Sequence, residues 1–184
     1  MGRGNSPLIF YTMPFSYGYF KKEYAEHLFE NFSIDIDILD VGAGCGTYGV
    51  LLKQDFKNID AIEIYEPYRK QFDLDKVYRS VFIGDVKELN LFLYNYIIMG
   101  DVLEHMSVED AQELLDKIHQ NNIYCMVAIP YKMPQADVGG NKHERHLQDD
   151  LTHELFTDRY PMMQLLFMNE HYGYYVNYNY EHTI

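Results

Sequence analysis

The chain has 184 residues, long enough for one domain with a sizeable core. Its formal net charge of −13, with only 15 Lys and Arg spread along the chain, disfavours nucleic acid, because non-specific binding there rests on cations neutralising phosphates. No apolar run reaches membrane-spanning length, and the start MGRGNSPLIFYTMPF lacks a secretory apolar region with a small-residue cleavage site, so a cytoplasmic protein is expected.

MGRGNS also fits the loose myristoylation pattern, but that pattern is short and common, and a frayed terminus is the simpler reading. Cys45 and Cys125 show no zinc or redox spacing and read as two small thiols of a reducing compartment. From Phe20 to Phe32 the residues Phe20, Tyr24, Leu28 and Phe32 recur every four positions, which predicts a helix. IDIDILDVG alternates, fills with β-branched residues and is stopped by glycines, as a strand is. A short helix over residues 47–54 follows, then a second strand at IDAIEIY, and Pro67 suits the first turn of a further helix. YRSVFIGD and YNYIIMGD are the third and fourth strands. Ser107 caps a helix whose Ala111, Leu114, Leu115 and Ile118 form one apolar stripe.

IYCMVAIPY reads as a fully buried fifth strand, and residues 132–150 as a polar loop of a length that is usually functional. MQLLFMNEHYGYYVNYNY makes two strands around a tight turn near Gly173. The alternation predicts an α/β chain, 1–184, in a single domain: a three-layer sandwich around a mostly parallel seven-stranded sheet with the last strand antiparallel.

Two glycine signatures overlap at DVGAGCGTYG. Gly44-Cys45-Gly46-Thr47-Tyr48-Gly49 is a G-x-G-x-x-G, and Asp40-Val41-Gly42-Ala43-Gly44-Cys45-Gly46 is an acid followed by alternate glycines. Both put a ligand above the carboxyl ends of the strands, and both want an acid at the end of the second strand, where Glu63 stands. A dinucleotide site expects the strand to run straight into Gly44. Here Asp40 ends the strand instead, and a carboxylate beside a pyrophosphate is repelled. An acid suits a ligand with a positive charge and no phosphate.

ILDVGAGCGTYG, IDAIEIYEPY, VFIGDVKEL and YIIMGDVLEHM follow one another, each at a strand end. In this order they resemble the motifs of class I S-adenosylmethionine-dependent methyltransferases, over roughly residues 20–131. The resemblance implies S-adenosylmethionine as cofactor and a role for each matched position. Asp40 would hold the cofactor's amino-acid end, directly or through water. Gly42, Ala43, Gly44 and Gly46 would let the backbone approach, since side chains at the glycines would intrude. Glu63 would accept both ribose hydroxyls, and Asp85 the adenine amino group beside the backbone of Val86. Ile64 and Val86 would flank the adenine ring. Asp101 and Val102 would face the methionine part. Plainer roles stay open: Asp101 as a helix-capping residue, Asp85 as a turn residue, and His105 as a packing residue.

The segment 1–19 covers the cofactor in such relatives. Tyr17 and Tyr19 are candidates to form the acceptor pocket or to face the sulfonium, because ring faces attract cations. Tyr172, Tyr174, Tyr178 and Tyr180 instead alternate on one face of the last strand and read as packing at a half-buried surface. Glu104 and His105 lie in a DVLEHM stretch typical of the small-molecule branch, and no tetrapeptide of the kind that marks amino-group methylation is present. The resemblance therefore implies a small-molecule or sugar acceptor, modified at oxygen, with residues 132–150 as candidate acceptor loop. A protein that binds the cofactor as a scaffold or regulator without transferring a methyl group is the alternative.

GGNKHERHLQDDLTHELF brings His143, His146 and His153 beside Glu144, Asp149 and Asp150. It reads as a solvated loop, as an acceptor-pocket wall supplying a base near neutral pH, or as a metal site. His146 and His105 are the candidate catalytic residues. His143 and His146 match no recognised zinc pattern, so no metal is assigned from sequence. RHLQDDLTHELF further resembles a His-Leu-x-x-aromatic-Thr stretch of small-molecule methyltransferases, with Asp150 and Leu151 where the aromatic is usual.

Overall fold

The computed structural model describes residues 18–179. Helix α1 (Lys21–Asn31) leads into strand β1 (Ile38–Val41), which the glycine turn joins to α2 (Thr47–Leu52). Next come β2 (Ile59–Glu63), α3 (Pro67–Gln71), β3 (Ser80–Ile83) and β4 (Tyr96–Gly100). Helix α4 (Val108–Gln120) precedes β5 (Tyr124–Pro130), and α5 (His153–Arg159), β6 (Gln164–Met168) and β7 (Tyr172–Val176) complete the chain. The seven strands form one sheet in the order β3-β2-β1-β4-β5-β7-β6. β7 runs antiparallel to both β5 and β6, and the other described pairings are parallel. The expected sheet, with the last strand reversed, is what forms.

Alternation along the strands divides the side chains between two cores. Leu39, Val41, Ile97, Met99 and Val127 meet the Ala111, Leu114, Leu115 and Ile118 stripe of α4 on one face. Ile38, Tyr96, Ile98, Met126 and Ala128 meet Tyr24 and Leu28 of α1 and Tyr48 and Leu52 of α2 on the other. Burying each large aliphatic side chain contributes about 1.5–3 kcal/mol, so both helical layers are held by their apolar stripes. Ser107 caps α4 as expected, its Oγ accepting from Asp110 N at 3.1 Å.

The tail differs from expectation in two respects. Its turn lies at Asn169, whose Oδ1 accepts from His171 N and Tyr172 N, while Gly173 sits inside β7 opposite Ile129. Gly173 is needed there for space, since a Cβ would lie 2.1 Å from the Tyr131 hydroxyl. Tyr172 and Tyr174 are fully buried against the α1–α2 layer rather than spread over a half-buried surface. Tyr178 bonds His27 and Tyr96 through its hydroxyl, and Tyr180 lies outside the described residues. No helix of the described residues is long and apolar enough to cross a membrane.

The chain order turns back between β1 and β4, which are neighbours in the sheet. At such a switch point the loops leaving the two strands diverge and open a crevice at their carboxyl ends. The glycine turn leaves β1 there, and Asp101 leaves β4 beside it.

Candidate functional site

The turn after β1 is built by three left-handed residues: Gly42 at φ 67°, Gly44 at φ 50° and Gly46 at φ 83°. A side chain is disfavoured at each. At Gly42 it would also collide, because a Cβ would stand 2.7 Å from Val102 Cγ2. Glu63, at the end of β2, holds the turn: its Oε2 accepts from Gly44 N at 2.9 Å and its Oε1 from Tyr65 N at 2.8 Å. Burial raises its pKa, while those two N–H groups pull it back.

Above the turn lies a cavity of about 1390 Å³. Of the expected cofactor residues, Gly42, Ala43, Gly44, Glu63, Ile64, Asp85, Val86, Asp101 and Val102 line it. Ile64 is 42% exposed, an apolar surface offered to the cavity. Asp85 is both turn residue and wall: its Oδ1 accepts from Lys87 N at 2.9 Å, leaving Oδ2 near the Lys87 ammonium. Asp101 adopts φ 57°, a conformation that costs a non-glycine residue energy and recurs at ligand sites. Gly46 shapes the turn into α2 without lining the cavity.

Asp40 stands apart from the expectation that it holds the ligand. It is 1% exposed and lies on the same strand face as Ile38, the face covered by α1 and α2, so it is absent from the cavity wall. Its Oδ2 accepts from the Tyr78 hydroxyl at 2.5 Å, and the same hydroxyl accepts from Gly49 N at 3.3 Å. Gly49 gives Tyr78 its place, since a Cβ would meet the ring at 2.4 Å. Burial pushes the Asp40 pKa up to about 7 against the Tyr78 bond and the Lys21 charge. Both ends of the ten-residue motif, Asp40 and Gly49, thus serve packing, and its middle serves the cavity.

The facing wall comes from the turn after β4 and from residues 130–147. The long loop is pinned rather than solvated. Leu147 N and Gln148 N both donate to Glu104 O, at 2.7 and 3.0 Å, and the Gln148 amide donates to Leu103 O and Met106 O. This register sets His146 against His105, with ring centroids 4.6 Å apart, and puts its Nε2 4.0 Å from Glu104 Oε1. His143 and Glu144 also face the cavity, whereas His153 opens α5 and bonds the Tyr175 hydroxyl elsewhere. Asp150 pairs with Arg159, and the fully buried Leu151 joins the α4-side core, filling an apolar slot where the resembling stretch has an aromatic.

Burial lowers the pKa of His105 to about 4, with His146 adding to the effect, and burial lowers that of His146 as well. Both imidazoles are therefore neutral at pH 7. Burial raises the Glu104 carboxyl well above the usual range, and Asp101 raises it further.

Several wall residues carried no sequence signal strong enough to single them out. The Tyr68 hydroxyl donates to Glu144 Oε1 at 2.9 Å, and Gln135 Nε2 donates to Glu144 O at 2.7 Å, tying α3 to the loop. Lys21 is a further unexpected group: its ammonium sits 4.2 Å from the Tyr48 ring centre, and burial lowers its pKa to about 8. Tyr19 packs near His171 and Tyr172 and is not in the cavity wall; Tyr17 lies outside the described residues.

No protein-family model matches the sequence, and no curated protein does. Solved structures do. A S-adenosylmethionine-dependent methyltransferase from Clostridium acetobutylicum superposes with TM-score 0.63 at 12% identity, over 85% of this chain and 89% of that one. Burkholderia thailandensis 1,6-didemethyltoxoflavin-N1-methyltransferase, with bound 1,6-didemethyltoxoflavin and S-adenosylhomocysteine, gives 0.61 at 15% identity, over 85% and 76%. The chain has the class I methyltransferase fold. Magnesium protoporphyrin IX methyltransferase from Synechocystis, with bound S-adenosylmethionine, shares this fold with TM-score 0.60 at 12% identity, over 86% and 78%.

Proposed function

We propose that the chain transfers a methyl group from S-adenosylmethionine to an oxygen of a small molecule. The observation that carries this is the union of the Glu63-anchored glycine turn with a second, histidine-bearing wall in one cavity. Ligand pockets commonly measure about 300–1,000 Å³; the larger cavity here has room for a cofactor and a small acceptor together. The toxoflavin and protoporphyrin enzymes that share the fold are named for small molecules of this class.

The turn fits the cofactor, because backbone without Cβ atoms faces the cavity beside a carboxylate that two N–H groups already orient. Glu63 is placed to accept the ribose hydroxyls through its remaining lone pairs. Asp85 and the Val86 backbone would read the adenine edge, with Ile64 and Val86 on its faces. Asp101 and the backbone of Val102 would face the methionine part, where a carboxylate favours the cationic groups. Asp40 acts beneath the turn, orienting Tyr78 and through it α2. Bound there, the cofactor supplies an electrophilic methyl group on a sulfonium. Holding the acceptor in line with it can contribute on the order of 7–11 kcal/mol. His105 and His146, neutral at pH 7, are placed to prepare an acceptor hydroxyl.

Thermal shift measurements with S-adenosylmethionine, S-adenosylhomocysteine and NAD test the cofactor. At 100 times the dissociation constant a ligand stabilises by about 2.7 kcal/mol, several degrees for a chain of this size. Stabilisation by NAD alone would return the glycine turn to a dinucleotide. Methyl-labelled cofactor and fractionated cell extract test the acceptor. Label in the low-molecular-weight fraction supports the proposal, label in RNA or protein overturns the small-molecule class, and binding without transfer identifies a scaffold.

A further inference from the structure

We propose that Glu104, His105 and His146 form a binding site for a first-row divalent transition-metal cation on the acceptor side of the cavity. One ligand atom from each of the three lies within 4.8 Å of the others. Coordination bonds of about 2.0–2.2 Å put neighbouring ligand atoms about 3–3.5 Å apart, so small rotations close the site. The three come from two segments forty residues apart, joined by the paired bonds from Leu147 N and Gln148 N to Glu104 O.

The second observation is the carboxylate itself. Glu104 is 1% exposed, and neither of its oxygens has a hydrogen-bond partner among the described residues. The His146 Nε2 atom, 4.0 Å away, is beyond hydrogen-bond range. A cation between the carboxylate and the rings supplies the missing partner.

The third observation fixes the nitrogens. His105 Nδ1 is 3.2 Å from Arg145 O, and His146 Nδ1 is 2.6 Å from Met133 O. A carbonyl only accepts, so each ring carries its proton on Nδ1 and leaves the Nε2 lone pair free. Backbone carbonyls orient metal-bound histidines in this way.

Two imidazoles with one carboxylate suit a borderline ion such as Zn²⁺, Co²⁺ or Mn²⁺ better than Mg²⁺, which prefers oxygen ligands. Three protein ligands leave coordination positions open. These face the cavity and take an oxygen donor of the acceptor, lowering the pKa of a hydroxyl placed there. That consequence rests on the proposed methyl transfer; the metal site does not. His105 and His146 then act on the acceptor through the cation rather than as bases themselves.

The test is a titration of chelator-treated, tag-free protein with Co²⁺, followed by visible absorption and by equilibrium dialysis, with neither cofactor nor acceptor present. One equivalent bound per chain and displaced by Zn²⁺ is expected. Glu104→Gln, which keeps the side-chain shape, and His146→Ala should each weaken binding at least tenfold. His119→Ala, which removes an exposed histidine of α4, should leave it unchanged. Circular dichroism checks each fold, and Glu104→Gln decides the matter if His146→Ala does not fold. No stoichiometric Co²⁺ binding by the wild type, or wild-type affinity in a folded Glu104→Gln, overturns the site. Because methyl transfer plays no part in the titration, its failure and the failure of the transferase proposal are separate results.

Discussion

The backbone N–H of Gly44 donates to Glu63 Oε2 at 2.9 Å, so the acid at the end of β2 holds the turn at the end of β1. One carboxylate thereby shapes the cradle and lines the cavity. Glu63→Ala loses both functions. With hydrogen bonds to charged groups contributing about 1.5–3 kcal/mol, S-adenosylhomocysteine affinity measured by calorimetry should fall about 10–150-fold. Unchanged affinity would place the ribose elsewhere.

Gly42→Ala combines a left-handed backbone with a Cβ 2.7 Å from Val102 Cγ2. The conformation alone costs about 1–2 kcal/mol, and the collision adds to it. Paired with Val102→Ala, Gly42→Ala should be less damaging than alone once the cost of Val102→Ala itself is subtracted. The left-handed cost should persist. Full additivity in denaturant titrations would show that the two residues do not meet.

Asp40 sets a pH dependence. Its folded pKa, about 7, lies above the ordinary aspartate value of 3.8, so the folded chain binds the proton more tightly. This contribution is fully present below about pH 4 and is lost as pH rises through 7. At about 1.4 kcal/mol per pKa unit, the loss is on the order of 4 kcal/mol. Asp40→Asn keeps an acceptor for the Tyr78 hydroxyl and removes the titration. The stability difference between variant and wild type should therefore shift in the variant's favour between pH 4 and 8, and a flat difference would be the opposing result.

Gln148 is the node of the acceptor-side wall. Its amide donates to Leu103 O and Met106 O, and its Oε1 accepts from the Tyr160 hydroxyl at 2.8 Å and Arg159 Nη1 at 3.1 Å. Gln148→Leu strands buried groups at about 1–3 kcal/mol each. A loss of at least about 2 kcal/mol is expected, with faster hydrogen exchange at Leu147 and in the 133–146 segment. Wild-type exchange there would show that the loop is held by other contacts.

His146→Ala should lower turnover on the labelled acceptor at least tenfold and leave S-adenosylhomocysteine affinity within about twofold. Most residues proposed to hold the cofactor lie across the cavity, on the turns after β1, β2 and β3. An equal loss in both would mean that the loop shapes the cofactor side as well.

The α/β alternation, the reversed final strand and the α4 cap were legible because each depends on a local pattern. Period-2 and period-3.6 apolar spacing and a Ser before a helix act within a few residues. The glycine turn was legible for the same reason, since positive φ is a local demand that glycine meets. Gly173 misled because glycine serves close packing as readily as turns, and only the Tyr131 hydroxyl above it decides between them.

Asp40 shows where local pattern ends. The sequence placed an acid at the strand end, but strand parity and the arrival of Tyr78 turned its carboxylate into the α1–α2 layer. The grouping of Glu104, His105 and His146 likewise depends on two backbone bonds that close a loop of some forty residues. The sequence by itself determined which residues could fold into strands and turns, because those energies are short-ranged. Which side chains share a cavity was decided by tertiary structure alone, because contact between distant segments depends on register and packing that no nearby residue encodes.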